Sequence, residues 1–424
     1  MSADGVRLKF KEAIAYFDQK LNLPSAVWAD ILHGAHTKAF TVAGAMKDDL
    51  LVDLRVAVRK AVADGMTLDQ FRKDFDTIVA KHGWAYNGGR AWRTKVIYDT
   101  NTRVAWNAGR YAQMTDPGLV RRMPYWRYNH SPHSKVPRPQ HLAWDGLVLR
   151  WDDPWWKTHY PPNGWGCNCW VDPLSPRDLA KLGKDGPDTA PPLDLRPCTV
   201  HTSGGPVVID VPKGIDPGWG YNVGETAFGR PLAEDVMAAW KAEGARAWRP
   251  MDEGGGWQNA GRPERLPPAP APAPPMARAH TPTEARAAIE ALLGAEEKAF
   301  RGPDGTPVLV DASVLASRLA ADQTPFLPLL PDLIEHPTEI WGNFEEHIGT
   351  GKVTLRRRFI KVIGLPEGSS RRFLVLMAQV RGGCLETWTV VPSRSPTAAN
   401  DQRSGALIWP RSQSGDATPD QTPG

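Results

Sequence analysis

The sequence has few cysteines, no long apolar run and no strong excess of either charge. It contains 4 Cys among 424 residues, which is too few for a disulfide framework, so we expect a reducing compartment or metal binding. No stretch approaches the roughly 18 apolar residues of a bilayer-spanning helix, and the polar start lacks a signal-peptide core. We therefore expect no membrane partner. The net charge of +4 is too small to indicate nucleic-acid binding by the whole chain.

What is present indicates a folded, multidomain α+β protein. The apolar fraction is 41% and there are 18 tryptophans, enough to build hydrophobic cores. A chain of this length predicts roughly two or three domains. Positive charge is concentrated between residues 351 and 403, which hold ten Lys and Arg against three acidic residues. The basic character therefore belongs to one domain.

Apolar residues at helical spacing predict a helical region over residues 6–116. Its clearest helix begins with a capping box formed by Thr67 and Gln70 and ends at Gly83. The texture then changes to Trp, His, Pro and Gly with little periodicity. Residues 123–172 are therefore predicted to form a compact, turn-rich module.

A low-complexity Pro/Ala tract separates the two halves of the chain. It favours extended polyproline II and cannot build a core, so we predict a tether. The part that follows predicts helices and then an antiparallel sheet, and the polar tail predicts disorder. The predicted segments are 1–230, 231–262 (a short helix and connector), 263–282 (the tether), 283–411 (the basic α+β domain) and 412–424 (the tail).

Three motifs in the module carry a resemblance to a known family. They are RPQH with WDG at residues 138–146, DPWW at 153–156 and HYPPNGWGCNC at 159–169. Together they resemble the signature of the Mu F-like phage head morphogenesis family, as does the helical region. The resemblance implies a minor head protein of the virion head, assembled in the host bacterial cytoplasm next to the portal and other head proteins. It further implies contact with phage DNA during packaging or ejection, and no enzymatic role for this half.

The module also gathers the side chains that bind zinc. The candidate ligands are His133, His141, Cys167 and Cys169, with His130 as the substitute. A CxC pair is a weaker signal than two CxxC pairs, and many members of the family carry a Cys pair where this chain has Arg138 and His141. Two hypotheses stay open: a structural zinc ion, or packed histidines with buried free thiols.

Seven tryptophans between residues 126 and 170 allow two interpretations. Exposed aromatic side chains anchor interfaces, so the tryptophans could form a recognition surface. The alternative is that they form the core of the module.

The basic carboxy-terminal domain resembles a second family. The motifs are PTEIWGNF at residues 337–344, LRRRFIKVI at 355–363 and ETWTVVPS at 386–393. They resemble the phage-borne nuclease-like domains of the Barnase, EndoU, colicin and RelE group. The resemblance implies a metal-independent RNase fold that requires no cofactor, with RNA as its partner and a role as an injected, toxin-like effector.

Cleaving RNA without a metal needs a base, an acid and cations near the developing phosphorane charge. The residues proposed for these roles are His336, Glu339, Arg358, Lys361, Thr389 and Arg403. Phosphate contact and base stacking are assigned to Arg356, Arg357 and Trp388. Three consecutive arginines on a strand are also typical of a solvated edge. An active nuclease, a non-catalytic module that binds nucleic acid or protein, and an inert domain therefore remain as alternatives.

Overall fold

The protein divides into two compact units. The structure, a computed structural model, describes residues 9–132, 137–230, 248–251, 255–366 and 371–410. Within these ranges, the first unit contains the residues up to 249 and 346–353, and the second contains 250–345 and 354–410. No helix in the described ranges is both long enough and apolar enough to cross a bilayer. The predicted α+β class is confirmed, because the first unit is mainly helical and the second is built on one large sheet.

The first unit confirms the predicted helical region. Its described helices are α1 (Lys11–Asp18), α2 (Asp48–Asp64), α3 (Leu68–His82), α4 (Arg90–Met114), α5 (Pro117–Arg122), α6 (Pro139–Ala143), α7 (Trp156–His159), α8 (Pro176–Lys181) and α9 (Val223–Phe228). Its strands are β1 (Leu21–Asn22), β2 (Ala39–Phe40), β3 (Tyr125–Asn129), β4 (Val148–Arg150), β5 (Trp170–Leu174), β6 (Leu195–Thr202) and β7 (Gly205–Pro212). A further short strand is β8 (Trp248–Pro250).

Local sequence explains where α3 begins and ends. The Gln70 backbone N–H donates to the Thr67 hydroxyl at 3.3 Å, and the Thr67 N–H donates to the Gln70 side chain at 2.9 Å. The predicted capping box is therefore present. Gly83 ends the helix at φ +59°, a left-handed conformation that favours glycine. Phe71 and Phe75 are fully buried in a core shared with α2.

Two glycines allow helices to approach α4 closely. A Cβ atom at Gly109 would lie 2.7 Å from the backbone nitrogen of Ala13 in α1. One at Gly224 in α9 would lie 2.1 Å from the Cβ of Tyr111. A larger residue at either position would push the helices apart. Residues of α1, α4 and α9 therefore share one hydrophobic core with the module.

The predicted module contains a three-stranded antiparallel sheet. Its order is β4-β3-β5, with Trp126 opposite Leu149 on one side and Pro173 on the other. β6 and β7 form a separate antiparallel hairpin. Sequence analysis misses this hairpin because prolines and glycines interrupt its alternation of apolar and polar residues.

The second unit combines a few short helices with a large sheet. Its described helices are α10 (Pro282–Leu293), α11 (Ala312–Ala316) and α12 (Leu330–Glu335). Its strands are β9 (Glu297–Arg301), β10 (Pro307–Asp311), β11 (Glu339–His347), β12 (Val353–Gly364), β13 (Phe373–Arg381), β14 (Cys384–Ser393) and β15 (Ala406–Trp409). The helices predicted in this part of the chain are confirmed.

Seven strands of this sheet are hydrogen-bonded in the order β15-β11-β12-β13-β14-β10-β9. The β12–β13 and β13–β14 pairs are antiparallel, which confirms the predicted meander, whereas β10 runs parallel to β14. The strands β9, β10 and β11 are not predictable from the sequence, because Pro, Gly and charged residues interrupt their patterns. The two helices α11 and α12 pack against β14 and β13.

The Pro/Ala tract, residues 263–282, is not a solvated tether in this structure. Leu266 is 1% exposed in the core of the second unit. The Ala269 N–H donates to the Val362 oxygen at 2.8 Å, and the Gly364 N–H donates to the Ala269 oxygen at 2.9 Å. The prediction fails because extended backbone can pair with a sheet even where side chains build no core. The predicted helix at 235–248 and the tail after residue 410 lie essentially outside the described residues.

Candidate functional site

Strand pairing brings the predicted histidines and cysteines of the module together. Asn129 of β3 lies opposite Trp170 of β5, so His130 and Cys169 lie at the same end of two paired strands. The Cys169 Sγ atom lies 3.5 Å from the Nδ1 atom of His130 and 3.5 Å from that of His141. We call His130, His141, Cys167 and Cys169 the His/Cys cluster.

The distances among His130, His141 and Cys169 suit a tetrahedral zinc site. With Zn–S near 2.3 Å and Zn–N near 2.0 Å, a sulfur and a nitrogen ligand are about 3.5 Å apart. The ligand atoms of His130, His141 and Cys169 all lie within 4.8 Å of one another. Cys167 Sγ lies 3.8 Å from His141 Nδ1 but is not within 4.8 Å of all three of these atoms, so its side chain would have to move to become a fourth ligand. His133, the other predicted ligand, lies outside the described residues.

A hydrogen bond fixes the orientation of the His141 ring. Its Nε2 atom lies 2.8 Å from the Gly214 carbonyl oxygen. A carbonyl oxygen only accepts, so Nε2 carries the proton and the Nδ1 lone pair faces Cys167 and Cys169. Metal-binding histidines are commonly held by such a bond from their second nitrogen.

The two thiols are buried and coupled. Cys167 and Cys169 are free cysteines, 4% and 3% exposed. A hydrogen bond from Cys169 lowers the pKa of Cys167 well below its usual value, and the same pairing raises the pKa of Cys169. These directions favour a thiolate at Cys167 and a protonated thiol at Cys169. A divalent cation would displace that proton and bind both sulfurs.

Other residues of the module's motifs support its fold. The Asp145 carboxylate accepts a hydrogen bond from the His130 backbone N–H at 2.8 Å. Arg138 Nη2 lies 2.6 Å from Asp216 Oδ2, which also accepts from the Trp165 N–H at 2.8 Å. These polar side chains hold loops in place and are occupied by backbone or ionic partners.

Four of the module's tryptophans are core residues. Trp126, Trp144, Trp155 and Trp156 are at most 6% exposed, and neighbouring rings contact each other edge to face. The core interpretation is confirmed for these four. Trp165 is 40% exposed and differs from them.

In the second unit, the predicted catalytic residues lie on two sides of the sheet. Successive side chains of a strand point to opposite sides, so on β12 Arg356 and Arg358 share one side while Arg357 and Lys361 share the other. Thr389 of β14 lies directly opposite Met377 of β13. The register of β13 against β12 puts both residues on the side of the sheet that carries Arg358. The predicted set therefore does not form one constellation.

Glu339 and Arg403 form a fully buried ion pair. Arg403 donates to the Glu339 carboxylate at 2.7 and 2.9 Å and also to the Pro263 and Glu264 carbonyl oxygens. Burial alone would raise the pKa of Glu339, but hydrogen bonds, first of all from Arg403, hold it below its usual value. Both side chains are 0% exposed, so a substrate cannot reach them. Their assignment as catalytic is corrected to a structural role.

His336 and Lys361 lie on the side of the sheet opposite to Arg358. Lys361 Nζ donates to Asp332 Oδ2 at 2.6 Å and to the His336 carbonyl oxygen at 2.8 Å. The His336 ring, 73% exposed, has its Nδ1 atom 3.4 Å from Asp332 Oδ1. This exposed histidine is therefore separated from Arg358 by the sheet itself.

The side of the sheet that carries Arg358 presents a cluster of cationic and amide groups. We call it the arginine face, and it consists of Asn343, Glu345, Arg356, Arg358, Gln379 and Arg381. Arg356 donates to Glu345 at 3.1 Å, and the Nη2 atom of Arg381 lies 2.7 Å from the same carboxylate as an ion pair. Arg358 donates to Asn343 and, at 2.6 Å, to the Ser404 carbonyl oxygen. Burial lowers the pKa of Arg358 to about 10, so it remains charged at neutral pH.

Two residues assigned to nucleic-acid contact are buried instead. Trp388 is 4% exposed, so it cannot stack on a base. Arg357 is 4% exposed and its guanidinium lies 2.8 Å from the Asp304 carboxylate. Both lie on the helix-covered side of the sheet. Sequence analysis misses Asn343, Gln379 and Arg381, although the alternation of polar residues along β11 and β13 carries that signal.

Comparison with known proteins agrees with both resemblances. Residues 53–172 match the family model described as Phage Mu protein F like protein, and residues 284–410 match that described as phage-Barnase-EndoU-ColicinE5/D-RelE like nuclease2. The chain is 35% identical over 256 residues to the putative capsid assembly protein F of Escherichia phage Mu, covering 54% of this chain and 58% of the relative. It is 34% identical over 233 residues to the Mu-like prophage FluMu F protein of Haemophilus influenzae, covering 49% and 54%. The chain thus spans a little over half of these relatives, and no solved structure matches it.

Proposed function

We propose that this chain, which joins a Mu F-like region to a nuclease-like region, is a phage head protein with a second unit that binds RNA. The observation that carries the first part is the 35% identity over 256 residues to a relative named as a putative capsid assembly protein. The matched family region, residues 53–172, contains helices of the first unit and the whole of the module. The first unit therefore performs the assembly role.

The first unit suits a structural role. The polar residues of its motifs form hydrogen bonds and ion pairs that hold loops in place, and the aromatic residues fill a tightly packed core. Such a core holds surface loops in one arrangement, which is what repeated contacts in an assembly require. The finer parts of the proposal are a place in the virion head, contacts with the portal and other head proteins, and contact with phage DNA during packaging or ejection.

A structural zinc ion in the His/Cys cluster is part of this proposal. His130, His141 and Cys169 offer two nitrogens and one sulfur at distances that suit a tetrahedron, and a movement of the Cys167 side chain would add the second sulfur. The ion would join β3, α6 and the segment before β5, three pieces of the module that lack long secondary structure. Zinc would therefore stabilise the module and take no part in a reaction.

The arginine face supports RNA binding by the second unit. Arg356 and Arg381 pair with Glu345, and Arg381 also pairs with Glu386, which it shares with Arg318. Arg358 forms no ion pair within the described residues, so its charge is available to a phosphate. Guanidinium groups bind phosphate in two-point geometry, and amides such as Gln379 read base edges or backbone oxygens. Unlike Trp388 and Arg357, these groups are only partly buried. The sheet thus offers a surface for a phosphate backbone.

RNA cleavage is the second candidate function, favoured by the nuclease family match over residues 284–410. Binding is supported more directly, because the described acid and base candidates do not converge on the arginine face. Glu339 is sealed in its pair with Arg403, and His336 lies on the opposite side of the sheet. The toxin-like role of an injected effector depends on this second candidate.

The RNA proposal is tested with the full chain and an unstructured single-stranded RNA, oligouridylate. Replacing Arg356 and Arg358 by Gln removes two phosphate partners, and we expect about a tenfold weaker affinity. We also expect the slope of log K against log salt to fall by about 1.4, because a single strand contributes about 0.7 per phosphate contact. The matched control, Arg286→Gln with Arg301→Gln, removes the same charge from two exposed positions elsewhere in this unit. It should change the affinity and the salt slope only slightly. Equal weakening by both double variants would overturn the proposed face.

Cleavage is measured in the same samples, with and without chelator. Full-length RNA after long incubation leaves the second unit as a binding module. Chelator-resistant cleavage that is lost with Arg358→Gln and kept with Arg286→Gln establishes the nuclease. Association of the first unit with heads is tested separately by sedimenting the full chain with portal-containing procapsids, and failure to sediment with them would contradict the assembly role.

A further inference from the structure

A cavity of about 400 Å³ lies within the first unit. It is lined by residues of α1 and α4, by the segment 28–43 and by the loop 217–221, with Trp165 beside them. Its size falls within the range of small-ligand pockets, which hold roughly 300 to 1,000 Å³. No residue of the His/Cys cluster or of the arginine face lines this cavity.

The walls of the cavity are aromatic. Trp28, Trp92, Trp165 and Trp219 all line it, and their rings contact each other edge to face at 6.1 Å for the 28–165 pair and 5.2 Å for the 165–219 pair. Trp92 is 57% exposed and Trp165 is 40% exposed, so these two mark its opening. Exposed tryptophans beside a concave site are typical of recognition surfaces.

Two buried cations also line the cavity, and none of the lining residues is acidic. Lys20 is 5% exposed and its ammonium group donates to the carbonyl oxygens of His36 and Ala39. An ammonium group has three donors, so one is left without a hydrogen-bond acceptor among the described residues. Arg93 is 9% exposed and donates to the Ala43 carbonyl oxygen, while its Nε atom is buried with no hydrogen-bond partner in the described part of the chain.

The groups that act on Lys20 in the described part of the chain carry no negative charge. His36, Lys38 and Arg55 are the ionisable groups that face it, along with the Tyr16 ring 4.8 Å away. Burial, followed by Lys38 and Arg55, lowers the pKa of Lys20 to about 7. A buried cation without a counter-ion is unfavourable, and an anion bound there would relieve that penalty.

We propose that this cavity binds the carboxy-terminal end of a partner chain, with its terminal carboxylate at Lys20 and its last side chain against the tryptophans. A chain end carries a single carboxylate directly beside an apolar or aromatic side chain, and this combination matches two cations within aromatic walls. A nucleic acid carries a charged phosphate on every nucleotide, and a chain of them would place several charges against these apolar walls. The inference does not depend on the proposed function.

The proposal is tested by calorimetric titration of the full chain with N-acetyl-glycyl-phenylalanine as the free acid and as the amide. We expect the acid to bind with a Kd on the order of 0.1 to 1 mM and at least tenfold more tightly than the amide. The variant Lys20→Met should remove this preference. The matched control Lys95→Met, an exposed position on α4, should keep it.

A second variant keeps the test decisive if Lys20→Met does not fold. Thr100→Phe fills part of the cavity from α4 and should weaken binding of the acid at least tenfold. Equal affinity for the acid and the amide would overturn the proposal, as would full binding by Thr100→Phe. Tighter binding of phenylpropionate than of the dipeptide would also overturn it, because the cavity would then recognise a small carboxylate and not a chain end.

Discussion

Replacing Glu339 by Gln tests whether its buried pair with Arg403 is structural. Gln preserves the size of the side chain but removes the negative charge, which leaves Arg403 at 0% exposure without its counter-ion. Removing one partner of a buried ion pair costs about 3 to 5 kcal/mol. Arg403 would keep its bonds to the Pro263 carbonyl oxygen at 2.8 Å and to Asn400 at 2.9 Å. We therefore expect the lower end, about 3 kcal/mol, for Glu339→Gln.

Arg403→Met should destabilise the second unit more. It removes the same pair and also leaves the Pro263 and Glu264 carbonyl oxygens without a donor, at a further cost of about 1 to 3 kcal/mol. The double variant should lose less than the sum of the two single variants, with a coupling of about 2 kcal/mol, because the two side chains interact directly.

The assay is hydrogen exchange of the full chain at increasing urea, read by mass spectrometry on peptides of β12 and β13. A peptide-resolved reading is needed because a chain of two units need not unfold in one transition. Glu335→Gln, an exposed position at the end of α12, is the control and should change stability by less than about 0.5 kcal/mol. If Glu339→Gln leaves exchange unchanged but abolishes RNA cleavage, the pair is reactive and the structural account is wrong.

Three further predictions follow from the titratable groups. Because hydrogen bonding holds the pKa of Glu339 below its usual value, its stabilising contribution is present above the ordinary glutamate pKa of about 4.3 and is lost as pH falls through the folded pKa. Exchange protection of β12 should decline in that window, and less so in Glu339→Gln. Elemental analysis should find one zinc ion per chain and none in Cys169→Ser, while Cys384→Ser, at an exposed cysteine, keeps it; an equal metal content in all three would refute the site. Dipeptide acid should bind more weakly as pH rises through about 7, where Lys20 loses its proton, and titration of Lys20→Met should show no such dependence.

The helices were predictable because their signals are local. The capping box at Thr67, the glycine at position 83 and the apolar stripe of α3 lie within one segment and agree with one another. The strands β12 to β14 were predictable for the same reason. By contrast, β9 and β10 flank a turn rich in Pro and Gly, and their pairing with the meander is a long-range contact that no local pattern specifies.

The candidate sites were predictable by residue type but not by arrangement. Cysteine and histidine chemistry identified Cys169 and His141, yet the position of His130 depends on the register of β3 against β5. In the second unit, charge alone grouped Glu339, Arg358 and Lys361. The alternation of side chains across the sheet separates Lys361 from Arg358, and burial converts Glu339 into a structural residue. The alternation is present in the sequence, but the side of the sheet on which each residue lies can be assigned only once the bounds of the strands are known.

The central claim is a division of labour, in which the first unit builds heads and the arginine face serves RNA. The most direct measurement counts heads by electron microscopy after infection with a phage that lacks this chain, complemented with the intact chain or with the Arg356→Gln, Arg358→Gln variant. We predict few heads without the chain and normal numbers with either form. Normal head numbers without the chain, or a loss of heads with the double variant, would contradict the account.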